Sequence, residues 1–221
     1  MYKYILPAFI ILPFMTGCAT PQGTQTRYGT GDKHAITESG QAVILYESGK
    51  WAYLDQTAQK SSSISNNNEK FYKSNNATFQ LKSNKNDIAV WLDPGKWSFS
   101  KSKTNTEAEY QFVLKGKDLH GLMINEAIEI KVETLVNIAL ENAKRAAPDA
   151  RIVSAEYRTV NGLRVVQLHI IGTIQGIRFA YLGYYYSNKS GTTQLLTFTS
   201  TNLFNRYKAE AEEFLNGMVS R

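Results

Sequence analysis

The chain contains a single cysteine, Cys18, and its position indicates a specific chemistry. A thiol can serve as a nucleophile, a metal ligand, a disulfide partner or an attachment point. Cys18 follows a segment that begins with a positive charge at Lys3, continues as an apolar run and ends in the small residues Thr16 and Gly17. That is the layout of an export signal. The apolar run is shorter than the roughly 20 residues of a membrane-spanning helix, so residues 1–17 are predicted to be removed.

The sequence Met15-Thr16-Gly17-Cys18 resembles the lipobox of bacterial lipoproteins. The resemblance implies cleavage between Gly17 and Cys18, a diacylglyceryl thioether on the sulfur, and acylation of the new amino group. Such an anchor holds firmly because each buried CH₂ contributes about 0.8 kcal/mol. Ala19 follows the cysteine, and the same resemblance then implies an outer membrane location facing the periplasm. The alternative is an ordinary secreted protein in which Cys18 is a free or buried thiol.

The composition of the chain limits the kinds of covalent bridge, metal site and binding partner that can be expected. A single cysteine allows no disulfide within the chain and no cysteine-based metal cluster. The formal net charge of +6 is a mild excess. It fits an anionic membrane surface or a peptidoglycan neighbourhood, but it lacks the concentrated basic patch of a nucleic-acid interface. The expected partners are therefore the membrane, through lipid on Cys18, and an envelope protein, with no nucleic acid.

The familiar sequence signatures of catalysis are absent. There is no G-x-S-x-G elbow, no P-loop and no G-x-G-x-x-G. No two histidines have a metal-ligand spacing such as H-x-x-x-H; they are His34, His120 and His169. The neighbouring acidic residues are interpreted as solvated faces: Glu107 with Glu109, and Glu212 with Glu213. We therefore expect no catalytic residue, no metal or cofactor site, and no enzymatic activity.

His169 belongs to the one polar feature that suggests a binding surface. Strand alternation places Gln167 and His169 on the same face of a predicted strand. On the next strand Arg178, Tyr184 and Tyr186 share a face, so these side chains are hypothesised to line a polar groove with His169. The alternative is a sheet face, solvated or covered by a helix, on which every polar group is satisfied.

The N-terminal part of the chain is predicted to consist of short modules. Residues 18–35 are rich in Thr, Gly and Gln and are interpreted as a tether. In residues 36–55 two alternating apolar runs flank Ser48-Gly49, which is the signal of a β-hairpin. Residues 56–76 are polar and low in complexity, and they are interpreted as a linker or disordered loop.

Residues 77–221 are long enough for one full core and are predicted to form the main domain. Apolar residues at helical spacing predict a helix over Lys131–Ala147, which Pro148 ends. A second apolar stripe predicts a closing helix over Leu203–Met218. Three turns separate four long strands between the helices: Asn161-Gly162, Gln175-Gly176 and residues 188–191. Consecutive hairpins of this kind predict an antiparallel meander.

This order of elements resembles the family that includes PsbP of photosystem II and the bacterial DcrB-like lipoproteins. The similarity covers roughly residues 78–221 and rests on three segments: the turn Asp93–Trp97, the turn Asn161-Gly162 and the closing helical segment Phe204–Leu215. It implies an α+β domain with a twisted antiparallel sheet flanked by helices, preceded in this chain by the small β-hairpin module. It also implies an adaptor, assembly factor or accessory subunit, because the family shares no catalytic residues.

Two functions fit these expectations. The first is a membrane-anchored envelope lipoprotein whose main domain is a non-enzymatic interaction or assembly module. The second is a periplasmic ligand-binding or hydrolytic accessory domain that acts on cell-wall or lipid material. A deep pocket with converging polar groups would favour the second function. A flat sheet face or an unpaired strand edge would favour a protein partner.

Overall fold

The computed structural model describes five stretches of the chain: residues 33–36, 42–45, 48–53, 64–102 and 107–221. The predicted export signal and the predicted lipidation site, Cys18, lie outside them. The first three stretches contain strands β1 (Lys33–Ile36), β2 (Ala42–Leu45) and β3 (Trp51–Tyr53), which form an antiparallel sheet in the order β1-β2-β3. β2 and β3 are the two runs of the predicted hairpin. β1 begins within the segment 18–35 that was interpreted as a tether, so residues 33–35 correct that interpretation.

The main domain, described over residues 64–102 and 107–221, contains eleven further strands and two helices there. In chain order they are β4 (Ser65–Phe71), β5 (Phe79–Lys82), β6 (Ile88–Leu92), β7 (Trp97–Lys101), β8 (Ala108–Leu114), β9 (His120–Glu126), α1 (Val132–Ala146), β10 (Arg151–Val160), β11 (Leu163–Ile174), β12 (Ile177–Asn188), β13 (Gly191–Ser200), α2 (Thr201–Leu215) and β14 (Met218–Ser220). Eight strands form one sheet in the order β4-β10-β11-β12-β13-β9-β8-β7. A small sheet has the order β14-β6-β5. The predicted α+β class is therefore confirmed.

β4 corrects the linker that was predicted for residues 56–76. It pairs in parallel with β10, which makes the eight-stranded sheet mixed. Its polar side chains are compatible with a strand because β4 has a neighbour on one side only. The Ser65 hydroxyl donates to the carbonyl of Ala155 at 3.2 Å, and the backbone amide of Asn161 donates to the carbonyl of Phe71 at 2.9 Å. Polar and charged side chains such as those of β4 are typical of an edge strand.

The two helices pack on opposite faces of the eight-stranded sheet. The apolar side of α1 buries Leu135, Leu140 and their neighbours against Leu168 and other residues of β10–β12. The apolar side of α2 buries Phe214, whose ring lies 4.4 Å from that of Trp97. Each helix has 15 residues. Neither combines the length and the apolar character that crossing a membrane would require, and the described ranges contain no other helix.

The closing helix is shorter than the prediction, which extended it to Met218. It ends at Leu215 because Gly217 lies directly against another chain segment. A Cβ on Gly217 would be 1.9 Å from the backbone oxygen of Trp91, and the Trp91 amide donates to the carbonyl of Gly217 at 2.8 Å. Met218 then enters β14 and pairs with Val90 in the small sheet. A contact between distant segments therefore overrides the apolar periodicity that continues to Met218.

Candidate functional site: a buried polar cluster and an exposed aromatic pair

α2 covers the sheet face on which His169 lies. Alternation along β11 directs Val165, Gln167 and His169 to the α2 side, while the residues between them face α1. Register then places Tyr184 of β12 directly opposite Gln167, and Leu182 opposite His169. These side chains therefore meet a helix rather than open solvent.

Tyr184 is a core residue whose hydroxyl is fully bonded. Its side chain is completely buried. The hydroxyl donates to Oδ1 of Asn216 at 2.7 Å and accepts from Nη1 of Arg158 at 3.4 Å. Burial raises the pKa of this phenol, and the neighbouring guanidinium opposes that rise. Tyr184 consequently ties β12 to the end of α2 as a neutral hydrogen-bonding group.

Arg158 is the centre of a buried polar cluster between β10 and α2. It is 9% exposed. Its guanidinium bonds to the carboxylate of Glu156 on its own strand, and its Nη2 lies 3.4 Å from Oε1 of Glu212 on α2. The guanidinium also lies over the ring of Phe71, 4.4 Å from its centroid. Glu212 was interpreted as part of a solvated face, whereas here its carboxylate is half-buried and paired.

The four residues of the predicted groove are not brought together in one open site. Tyr184 is buried and His169 lies under α2. Arg178 is exposed near the far end of β12, roughly 20 Å from Tyr184 at about 3.3 Å per residue. Tyr186 is half-buried, and its hydroxyl accepts from Asn188 at 3.4 Å. His169 and Tyr184 therefore lie on a sheet face that is covered by a helix, which was the alternative to the groove.

His169 stacks on the first turns of α2. Its ring lies 4.3 Å from the ring of Phe204 at an interplanar angle of 13°. Burial lowers the pKa of His169 below its ordinary value of 6.5, and the positive charge of Lys208 lowers it further. Within the described part of the chain, Nε2 of His169 and Nε2 of Gln167 are buried without a hydrogen-bond partner. The site therefore favours a neutral imidazole.

A second polar network, at Glu109, was also interpreted as a solvated face. The Glu109 carboxylate accepts hydrogen bonds from the Asn84 amide at 2.7 Å, from Ser83 at 2.8 Å and from Asn125 at 2.9 Å. Burial alone would raise the pKa of Glu109, but these hydrogen bonds outweigh it and hold the pKa below 4.5. The carboxylate thereby fixes the loop between β5 and β6. No group of metal-binding side chains occurs in the described ranges.

The large apolar side chains on the surface include a stacked pair of phenylalanines. Phe79 is 41% exposed and Phe99 is 40% exposed. Their rings stack with centroids 5.2 Å apart, and Phe99 also makes an edge contact with Tyr110 at 6.5 Å. Contiguous exposed aromatic surface is typical of interaction sites. Alternation along β7 puts Trp97 and Phe99 on one face, but no sequence pattern indicates that Phe99 stacks on Phe79.

The depressions in the described surface are small. One lies between the small sheet and α2, where Trp91, Trp97 and Phe214 line it, and its cavity volume is about 10 Å³. A volume of that size corresponds to a single water molecule. A deep pocket with converging polar groups, which would have favoured a small-molecule site, is not found among the described residues.

Comparison with known proteins identifies the fold. No family model and no curated protein matches the sequence. Among solved structures, the cyanobacterial PsbP protein CyanoP of Synechocystis matches with a TM-score of 0.52 at 12% identity, over 65% of this chain and 92% of that chain. The main domain has the PsbP-like fold. At 12% identity the likeness concerns the fold alone.

Two further structures resemble the PsbP-like domain more distantly. LpqN of Mycobacterium tuberculosis, described as involved in cell envelope biogenesis, has a TM-score of 0.44 at 11% identity, over 64% of this chain and 88% of that chain. A Pseudomonas aeruginosa protein of unknown function has a TM-score of 0.43 at 11% identity, over 65% of this chain and 96% of that chain. With TM-scores under 0.5, neither adds to the fold assignment.

Acid is expected to destabilise the PsbP-like domain in part through His169. Because its pKa is lowered in the folded state, the unfolded chain binds this proton more readily, and the free energy of unfolding falls as the pH drops below 6.5 toward the folded-state pKa. Urea titrations across this pH range should show a smaller decrease in the free energy of unfolding for His169→Gln than for wild type. Lys208→Gln should give an intermediate decrease, because it removes one of the two causes of the lowered pKa of His169. A His169→Gln slope equal to wild type would contradict this assignment.

Proposed function

We propose that this chain is a membrane-anchored envelope lipoprotein whose PsbP-like domain is a non-enzymatic interaction module. One contrast in the domain carries the proposal. Arg158 and Tyr184 carry polar groups that could bind or react with a substrate, but they are buried and bonded to other protein groups. Two stacked phenylalanines, in contrast, are exposed. A domain arranged in this way presents apolar surface to a partner rather than reactive groups to a substrate.

The anchor in this proposal is lipid on Cys18. The preceding export signal and the small residues Thr16 and Gly17 support it, and Ala19 supports an outer membrane location facing the periplasm. Acylation would hold the domain within reach of the membrane on the intervening residues. The anchored domain would then diffuse only within the envelope, which raises its effective concentration for any partner located there.

The proposal is tested by chemical cross-linking in intact cells of the native host that express the tagged full-length chain. After solubilisation in detergent, we expect one envelope protein to be recovered reproducibly with the wild-type chain and to be greatly reduced with Cys18→Ser, which should lose its membrane location. Recovery of no reproducible partner would overturn the interaction function. Turnover of purified peptidoglycan or phospholipid by the purified chain would overturn its non-enzymatic character.

A further inference from the structure

The outer side of β7 is an open strand edge. β7 is the last strand of the eight-stranded sheet and pairs with β8 only. The amide of Lys115 donates to the carbonyl of Lys96 at 2.9 Å, and the amide of Ser102 donates to the carbonyl of Glu109 at 3.2 Å. Hydrogen bonding alternates along an antiparallel pair. Every second residue of β7, counted from Lys96, therefore bonds to β8, and the residues between them direct their peptide groups away from it.

The outward-facing peptide groups belong to Trp97, Phe99 and Lys101. The amide of Trp97 is already bonded, because it donates to the carbonyl of Asp93 at 2.9 Å. The amides and carbonyls of Phe99 and Lys101 therefore form the part of the edge that another strand can pair with. In the described ranges no strand occupies this side of β7. An edge of this kind is a template for strand addition.

The side chains at this edge are apolar and basic. β5 is likewise the last strand of its sheet, and its Phe79 stacks on Phe99. Lys82 on β5 and Lys101 on β7 are exposed, and neither strand contains an acidic residue. The opposite edge of the large sheet differs, since β4 exposes only polar and charged side chains, including Glu69. The edge at β7 thus combines free peptide groups, an aromatic anchor and the exposed lysines Lys82 and Lys101.

We propose that the β7 edge binds an extended acidic segment of a partner protein by strand addition, with the Phe79–Phe99 pair as its apolar anchor. This inference rests on the proposed interaction function. The peptide groups of Phe99 and Lys101 pair with the added strand, an apolar side chain of that strand lies on the two rings, and a carboxylate beside it pairs with Lys101. Period-two alternation requires the apolar and acidic residues of the partner to be two positions apart.

Charge is the reason for choosing an acidic partner rather than a second copy of the chain. Two β7 edges placed together would bring further lysines and no carboxylate from β7 itself. Like charges opposite each other in a sheet are destabilising. An acidic strand instead supplies carboxylates that can pair with the exposed lysines. Because these ion pairs would be exposed to solvent, binding of the acidic strand should weaken as the salt concentration rises.

The binding test uses the full-length chain in detergent micelles and a synthetic peptide, acetyl-Glu-Thr-Val-Thr-Phe-Thr-Glu-amide. One face of this peptide carries glutamate and apolar residues, and the other carries threonine. We expect saturable binding, and amide hydrogen exchange at Phe99 and Lys101 that is slower by ~10-fold or more when the peptide is bound, since strand addition protects those two amides. The same peptide with lysine in place of glutamate should not bind. Equal binding of the two peptides would overturn the acidic specificity.

Two variants test the edge and its anchor. Phe99→Pro removes an outward amide together with one ring of the anchor, but it removes no hydrogen bond to β8, and proline is tolerated on an edge strand for that reason. Phe79→Ser removes one ring of the anchor and leaves the edge of β7 intact, so it keeps the test valid if Phe99→Pro does not fold. Each should weaken peptide binding by ~10-fold or more, in the range of an interface anchor. Ile177→Ser is the matched control, because Ile177 is 53% exposed at a distant turn.

The remaining outcomes distinguish this inference from the proposed function. Peptide binding that is unchanged in Phe99→Pro and in Phe79→Ser would overturn strand addition at β7. Dimerisation of the wild-type chain without peptide, lost in Phe99→Pro, would assign the edge to a second copy and also overturn the proposal. In cells, a cross-linked partner that persists in both variants would leave the interaction function standing while the edge assignment fails.

Discussion

Replacing Arg158 by methionine is expected to lower the free energy of unfolding by about 3–5 kcal/mol, the cost of removing one member of a buried ion pair. Arg158 is 9% exposed and bonds to Glu156 and Glu212. Methionine can fill much of the space of the arginine stem, but it leaves two half-buried carboxylates without their cation. It also removes the cation from the ring of Phe71. Chemical denaturation of wild type and variant, monitored by tryptophan fluorescence, measures the difference.

Arg164 provides the matched control for this prediction. It is exposed and lies over the ring of Tyr157, 4.2 Å from its centroid, so Arg164→Met removes a similar cation–aromatic contact at the surface. Its cost should stay within about 1 kcal/mol. Adding Glu156→Gln and Glu212→Gln to Arg158→Met should restore part of the lost stability, because the unpaired charges are then removed. Equal costs for Arg158→Met and Arg164→Met would contradict a buried cluster.

Replacing Cys18 by serine is expected to abolish membrane attachment. The anchor in the proposed function is covalent lipid on the sulfur, and serine offers no thiol for the thioether. Since each buried CH₂ contributes about 0.8 kcal/mol, loss of the acyl chains removes the largest contribution to the affinity of the chain for lipid. Metabolic labelling with radioactive palmitate and partition between detergent and water measure the result. Wild type should carry label and enter the detergent phase, and Cys18→Ser should do neither.

Ala19→Asp is the control for the lipid anchor. It leaves Cys18 in place, so labelling and detergent partition should match wild type. By the lipoprotein resemblance, an aspartate after the cysteine would retain the chain at the inner membrane of an enterobacterial host, which membrane fractionation would detect. Palmitate label on Cys18→Ser would contradict attachment through this cysteine.

Several elements of the fold were predictable because their determinants are local. α1 was predicted over Lys131–Ala147 and spans Val132–Ala146, since an apolar stripe and a following proline act within a few residues. The turn at Asn161-Gly162 was predicted from the same kind of signal. Both residues have positive φ angles, 47° and 86°, which asparagine and glycine adopt most readily. The long strands between the helices follow from those turns.

The candidate site was less predictable because its members are far apart in the sequence. Strand alternation correctly grouped Gln167 with His169, but no local pattern indicates that α2 covers that face. The pairing of Glu212 with Arg158 joins a helix to a strand that precedes it by 54 positions. The exposed Phe79 and Phe99 lie on separate short strands, and no local pattern indicates that their rings stack. Their contact depends on the way two sheet edges converge.

By itself the sequence determined the alternation and helical periodicity of the long elements and the positions of the hairpin turns, and attachment through Cys18 remains its prediction. Those properties depend on hydrogen bonds and side-chain spacing within a few residues. Tertiary structure alone decided that the mostly polar segment 65–71 becomes an edge strand, that Met218 leaves the helix for a sheet, and that His169 lies beneath α2. The physical reason is that each of these outcomes depends on burial and hydrogen bonding between segments that meet only when the whole chain has folded.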